Sequence, residues 1–317
     1  MQRAWLITQS SLRLNEILDR RAIDLGYYPQ LLDFSSGSVT ISTLADFDET
    51  VSDISNSETL DGDWIYSGAQ LVQNLGGPIR ERPYSARLFS LPMTHKIEHA
   101  ASDSQEHIDF HIWVLSFFVG MRLSSAPNGF IDSTPIKSGK LVDFVLLGGG
   151  IEAVPALAET FWQSSKHDPV RVKLWVAAVH TLFIGQNPQS LQFERFIYLY
   201  TALDACFTLA NVQRKHVPHS ERIDWMCQQY GMTTPSWADP AGAKSNQISA
   251  IRNPALHEGL FVNEPLGFAI HGVDSNTNLT LEMRALVCRF LAILIGVKDS
   301  LYTKSQINTR QRQGLRL

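Results

Sequence analysis

The stretch Phe193-Glu-Arg-Phe-Ile-Tyr-Leu-Tyr-Thr-Ala-Leu-Asp-Ala-Cys-Phe207 sits inside a helix predicted over 189–209, and its reading decides the fold. Tyr198, Tyr200 and Phe207, with Trp162 and Trp175 upstream, recur at helical spacing and read as core rather than as base-stacking platforms. Gly185-Gln-Asn-Pro188 breaks this helix from another predicted over 170–184. Further helices are predicted over 221–230, 245–253 and 279–302, the last apolar at Leu281, Leu286, Phe290, Ile293 and Val297. Few strands interleave after residue 150, so an antiparallel helical bundle fits better than a parallel sheet.

Upstream the pattern differs. Ser38-Val-Thr-Ile-Ser-Thr43 and Arg87-Leu-Phe-Ser-Leu91 alternate like strands, with punctuation at Gly76-Gly-Pro78 and Pro83. At Ser104, with Glu106 and His107, a helix opens whose Ile108, Ile112, Leu115 and Val119 share one stripe, ending near Arg122. The segment 124–140, rich in Ser, Pro and Gly, is the linker candidate. The expected organisation is a mixed α+β region over 1–125, a linker over 126–145, a helical bundle over 146–303 and a basic tail over 304–317. The expected fold class is therefore mainly α.

With 317 residues, 44% hydrophobic and 18% charged, the chain has the composition of an ordinary globular protein of one or two domains. Its start has too short an apolar run for a secretory signal. The apolar stretches 108–121 and 281–297 are interrupted by His111 and Gly120, or by Glu282, Arg284 and Arg289, so neither reads as a membrane span. A cytoplasmic location is expected. Cys206, Cys227 and Cys288 are far apart and form no Cys-x-x-Cys pair, which points to buried thiols rather than a disulfide framework or zinc knuckle. A net charge of −4 argues against a chain coated for nucleic acid. Residues 22–79 contain no Lys or Arg, whereas basic residues gather at Arg171 and Lys173, at 214–222 and after 304. A polyanion would meet the C-terminal half.

One stretch there carries a candidate chemistry: Gln247-Ile-Ser-Ala-Ile-Arg-Asn-Pro-Ala-Leu-His-Glu-Gly259. Arg252 offers a permanently charged guanidinium that grips phosphate oxygens in pairs, and His257 an imidazole that titrates near neutrality. The spacing alone is weak, since about half a match is expected by chance in such a chain. A second copy, Arg214 and His219, falls in a polar stretch with Pro218 that reads as a solvated loop. In an unbroken helix, residues five apart lie about 140° apart around the axis. Pro254 disfavours helical dihedrals at Asn253 and suits the first turn of a new helix, so Asn253 reads as an N-cap between two pieces. That kink decides whether Arg252 and His257 share one cleft.

On these residues the C-terminal half resembles a HEPN domain, the helical module of prokaryotic toxins, CRISPR-associated ribonucleases and anti-phage proteins. Its signature is Arg, a polar residue, and His four to six positions on, matched here by Arg252, Asn253 and His257. The 193–207 helix resembles the corresponding helix of the ApeA-like HEPN subgroup, with Asp204 where an acidic residue is expected; the likeness covers roughly 150–302. The resemblance implies metal-independent RNA cleavage at a composite site formed by homodimerisation. His257 would activate the ribose 2′-hydroxyl or protonate the leaving oxygen, Arg252 would stabilise charge on the phosphate, and Asn253 would hold the geometry. Arg214, Lys215, His219 and Arg222 are expected to bind RNA, and no metal or cofactor is assigned. A non-catalytic interaction module is the alternative.

Two other patterns compete. His95-Lys-Ile-Glu98-His99 fits the inverted zincin spacing, and His107 and His111 form a second pair at a helical interval. A zinc-binding protein through His95 and His99 is therefore a further alternative, although 94–99 alternates like a strand, where residues four apart lie about 13 Å apart. His107 and His111 read as polar positions on the exposed flank of an amphipathic helix. Finally, Gly148-Gly-Gly150-Ile-Glu-Ala153 after an apolar run looks like a nucleotide-cradling turn, but lacks a following strand with a ribose-binding acid, and reads as a tight glycine turn opening the bundle.

Overall fold

The computed structural model describes residues 22–102, 104–241, 248, 252, 279–297, 301–307 and 312–317. The chain divides into two compact units, one comprising residues 1–140 and 151–160, the other 141–150 and 161–317. Among the described residues the fold is mixed, 43% helical and 19% strand, with several sheets in the N-terminal region and helices beyond it. This corrects the expectation of a mainly α protein. Most of the strands are only two to five residues long, too short to hold a period of two over the windows in which helices announce themselves.

In the first unit β1 (Ala22–Leu25), β9 (His95–His99), β3 (Val39–Thr43) and β2 (Phe34–Ser36) form an antiparallel sheet in that order. Central β9 is paired on both sides, Ile97 lying opposite Ile23 and Ile41. Alternation sends His95, Ile97 and His99 to the buried face and Lys96 and Glu98 to the other, where they form an ion pair at 3.0 Å. Helix α1 (Phe47–Ser55) buries Phe47 and Ile54. The smaller sheets are β4 (Leu60–Asp61) with β5 (Trp64–Tyr66) and β11 (Ser133–Pro135), β6 (Ala69–Gln73) with β7 (Ile79–Ser85), and β8 (Leu88–Phe89) with β10 (Phe130–Ile131). Thus β10 and β11 lie within the segment read as a linker, and they bury Phe130 and Thr134.

Helix α2 (Gln105–Val119) begins where Ser104 accepts the His107 N–H, and stops at Gly120, whose left-handed φ of 62° suits a residue without Cβ. Its interior is buried on nearly every side: His107, Phe110, His111, Val114, Phe117 and Phe118 as well as the expected Ile108, Ile112, Leu115 and Val119. The reading of His107 and His111 as an exposed flank is therefore wrong. A helix surrounded by protein has no wet side, so polar spacing cannot mark one.

In the second unit α4 (Pro169–Ile184), α5 (Gln192–Ala210) and α7 (Leu279–Ile295) supply the core, with Trp175, Leu182, Phe196, Leu199, Leu286 and Phe290 buried. Shorter α6 (Arg222–Gln229) and α8 (Leu301–Lys304) accompany them. Between β12 (Phe144–Leu146) and α3 (Val154–Ser164) lies the glycine turn, Gly148 having a φ of +60°. Residues 151–160 of this connection belong to the first unit. Strand β13 (Gln313–Leu315), inside the segment read as a basic tail, pairs in parallel with β12 and buries Leu315. The helix predicted over 245–253 lies outside the described residues apart from Ile248 and Arg252.

A buried ion pair ties this unit together. Arg289 on α7, fully buried, donates to Asp143 Oδ2 at 2.7 Å, to the Ala285 carbonyl at 2.8 Å and to Ser305 Oγ at 3.1 Å. Tyr302 donates its hydroxyl to the other Asp143 oxygen. Removing one partner strands a charge in a low-dielectric interior, which typically costs about 3–5 kcal/mol. Arg289→Met should lower stability by an amount of that order in chemical denaturation followed by tryptophan fluorescence. Arg289→Met/Asp143→Asn should recover part of it.

Candidate functional site

Helix α5 carries Tyr200 and Asp204 one turn apart, so both project from one face. The Tyr200 hydroxyl meets His219 Nδ1 at 3.0 Å, and the guanidinium of Arg252 lies 5.6 Å from the centre of the Tyr200 ring. Asp204 Oδ1 accepts from Arg222 at 2.6 Å, stands 3.9 Å from His219 Nδ1, and fixes Arg222 over the Phe207 ring at 4.7 Å. Burial raises the Tyr200 phenol above its ordinary value, Asp204 adds to the rise, and Arg252 and Arg222 oppose it, Arg252 also through a hydrogen bond. The chain reverses between α5 and α6 because Asn211 brackets it, accepting the Lys215 N–H at 3.0 Å and donating to the Lys215 carbonyl at 2.8 Å. That loop exposes Arg214 and Lys215, Arg214 with a φ of 50°.

Of the residues expected to form the Arg/His site, Arg252 is helical and half-buried within this group, while Asn253 and His257 lie outside the described residues. Of those expected to bind RNA, His219 and Arg222 join Arg252 around Tyr200 and Asp204, whereas Arg214 and Lys215 stand apart on the exposed loop. Tyr200 was read as core alone; it is core and also the hydrogen-bonding centre of the group. Chemically the cluster offers an imidazole, a phenol, the guanidinium of Arg222 held by Asp204, and the guanidinium of Arg252.

The first unit holds a second cluster. At the end of β9, His99 meets His107 and His111, which sit one helical turn apart on α2, and Glu159 of α3. Glu159 Oε2 lies 2.9 Å from His107 Nε2 and 3.4 Å from Nε2 of both His99 and His111. The three imidazoles are buried and Glu159 is 32% exposed. His99 Nδ1 also accepts the Ala101 N–H at 3.3 Å, and its Nε2 stands 3.5 Å from Ser38 Oγ. Neither ring nitrogen of His111 has a hydrogen-bond partner among the described residues. Burial, with His99 and His107 adding to it, pushes His111 down to about 3. These donors are of the types that hold a metal ion, and their atoms all lie within 4.8 Å of one another.

The zinc pattern read at His95 and His99 is thus replaced. His95 shares β9's buried face but sits four residues, about 13 Å of extended chain, from His99; it contacts Thr94 Oγ1 at 2.9 Å and packs against Tyr28 and Phe47. Glu98, the carboxylate of that pattern, points to the opposite face. The signal that could have found the real group was the repetition of His at 99, 107 and 111; Glu159 gave none. The three cysteines are buried and reduced, Cys227 pushed up to about 12 by burial, so no thiol is activated. No helix among the described residues is long and apolar enough to cross a membrane.

Comparison of the chain with protein-family models, with curated proteins and with solved structures finds no match.

His95 provides a pH test. Burial holds its imidazole below the ordinary 6.5, and hydrogen bonding at Gln30 and the charge of Asp33 oppose this. The unfolded chain takes up a proton that the folded state refuses, so this contribution is whole above pH 6.5 and declines as pH falls below it. His95→Gln should make the loss of stability on acidification below pH 6.5 shallower than in the wild type, measured by denaturation midpoints across a pH series.

Proposed function

We propose that the second unit is a HEPN-type RNA-binding module and metal-independent endoribonuclease, acting in the cytoplasm as a homodimer in stress or anti-phage defence. The observation that carries this reading is the convergence of Arg252, Tyr200 and His219: a guanidinium and an imidazole from distant parts of the sequence meet at one phenol. Arg222, steered by Asp204, adds a second guanidinium beside them, and Arg214 and Lys215 extend the positive charge into the solvent.

RNA can be cleaved by its own 2′-hydroxyl. A base takes the 2′ proton, the oxygen attacks the adjacent phosphorus, a 2′,3′-cyclic phosphate forms, and the departing 5′-oxygen receives a proton from an acid. In this reading His257 is the base or the acid, and Asn253 orients it. Arg252 bears the charge that grows on the non-bridging oxygens as the fifth bond to phosphorus forms. Tyr200 holds Arg252 in place, and His219 and Arg222 bind the neighbouring phosphate. A dimer would set two such Arg/His sets across a twofold axis.

Purified protein incubated with total RNA in EDTA should cleave it. His257→Ala should lower the rate by about 10²–10⁴-fold, the usual worth of a general acid or base, and Arg252→Ala by about 10²–10³-fold. Arg214→Ala should weaken RNA binding across sequences and reduce the slope of log affinity against log salt by up to about one. Binding without cleavage leaves the non-catalytic interaction module. Cleavage unaffected by both Arg252→Ala and His257→Ala overturns the nuclease assignment.

A further inference from the structure

Three buried imidazoles and one carboxylate of the first unit gather their ligand atoms within 4.8 Å of one another. Glu159 Oε2 is the common neighbour of His99, His107 and His111. It meets His107 Nε2 in a hydrogen bond at 2.9 Å and stands at 3.4 Å from the other two. His111, 1% exposed, has both ring nitrogens buried with no hydrogen-bond partner among the described residues. A group left unsatisfied in this way costs about 1–3 kcal/mol, and the carboxylate oxygen beside it, Glu159 Oε2, is 3.4 Å from its Nε2. Ring centres 4.5, 4.9 and 5.2 Å apart make a three-sided cage with Glu159 on the remaining side.

We infer that His99, His107, His111 and Glu159 bind a single divalent transition ion of the zinc class, as a structural site that fastens β9, α2 and α3 to one another. Zinc bonds of about 2.0–2.1 Å at tetrahedral angles put neighbouring donor atoms about 3.3 Å apart. The three edges that meet at Glu159, 2.9 to 3.4 Å, are already near that value, and the remaining edges, none longer than 4.8 Å, close by small rotations of the rings. Imidazole and carboxylate without thiolate suit zinc and its neighbours rather than copper(I), and nitrogen-rich ligation disfavours calcium and magnesium. One carboxylate offsets half of the ion's charge.

The ligands are placed to staple rather than to catalyse. Four protein atoms fill a tetrahedron, leaving no position for a reactive water. The two histidines of α2 are presented by a single helical face, whereas Glu159 lies 52 residues beyond His107. The ion would close that loop and so stabilise the unit by linking distant segments. Glu159, at 32% exposure, marks the side from which the ion enters. His99 is the ligand that must adjust most. Its Nδ1 now accepts the Ala101 N–H at 3.3 Å, so coordination through Nε2 requires the proton to move to Nδ1 and that long contact to open.

The full chain, stripped with a chelator and titrated with Zn²⁺ or with Co²⁺ as a coloured substitute, tests this. The wild type should take up one ion per chain, show the visible absorption of four-coordinate Co²⁺ with nitrogen and oxygen ligands, and gain thermal stability with Zn²⁺. His111→Ala and Glu159→Gln should each weaken binding by more than the roughly 10- to 100-fold that loss of an outer-shell partner costs, and His99→Ala by less than His111→Ala. Should His111→Ala fail to fold, Glu159→Gln, altered at a partly exposed position, carries the comparison. His95→Gln, outside the group, should keep the stoichiometry. No uptake by the wild type, or equal uptake by wild type and Glu159→Gln, overturns the assignment. The RNA reading is untouched by either result, because it depends on Arg252 and His257.

Discussion

A single carboxylate oxygen, Glu159 Oε2, is the point on which the first unit converges. The end of the central strand β9, the first two turns of α2 and the middle of α3 each deliver a side chain to it. Nothing in the local preferences of these segments demands the meeting. β9 is fixed by pairing with β1 and β3, α2 by its Ser104 cap and its Gly120 stop. Because those elements are rigid, the imidazoles they carry are held close before any ligand arrives, which is the condition for tight and selective coordination.

What could be read from the sequence follows the range of the interactions involved. Helices α4 and α5 were legible because Gly185, Pro188 and a local apolar period define them, and the start of α2 because a cap is a contact between residues three apart. Strands β4, β5 and β10 were largely hidden, whereas β3 and β8 fall within the two stretches that alternate like strands. β5 and β10 also take partners distant in sequence, β11 and β8, and two or three residues carry no measurable period. The weight of the long helices therefore tilted the fold class toward α. The histidine group failed in the same way: the spacing of His107 and His111 was visible, but amphipathic reasoning placed them in water. Their burial depends on what covers α2, and the carboxylate that completes the group comes from α3.

The Tyr200 group shows the complementary case. Arg252 and Asp204 were both singled out from sequence; Asp204 takes Arg222 at 2.6 Å as an ion-pair partner, and His219 from the supposed solvent loop returns to the Tyr200 phenol. Loop residues such as Arg214 and Lys215 remain where composition puts them, in solvent. The difference lies in the chain reversal imposed by Asn211, whose side chain bonds both ways across four residues. This reversal turns a polar stretch into one wall of a site.

The parallel pairing of β12 with β13 has a consequence for biosynthesis. β12 leaves the ribosome well before β13 is made, and parallel partners so distant in sequence close slowly. Until β13 is made, the three residues of β12 have no partner strand, because the two strands form a sheet of their own. The pairing therefore forms only after residue 315 has left the ribosome, which makes the closure of this unit a late step in folding.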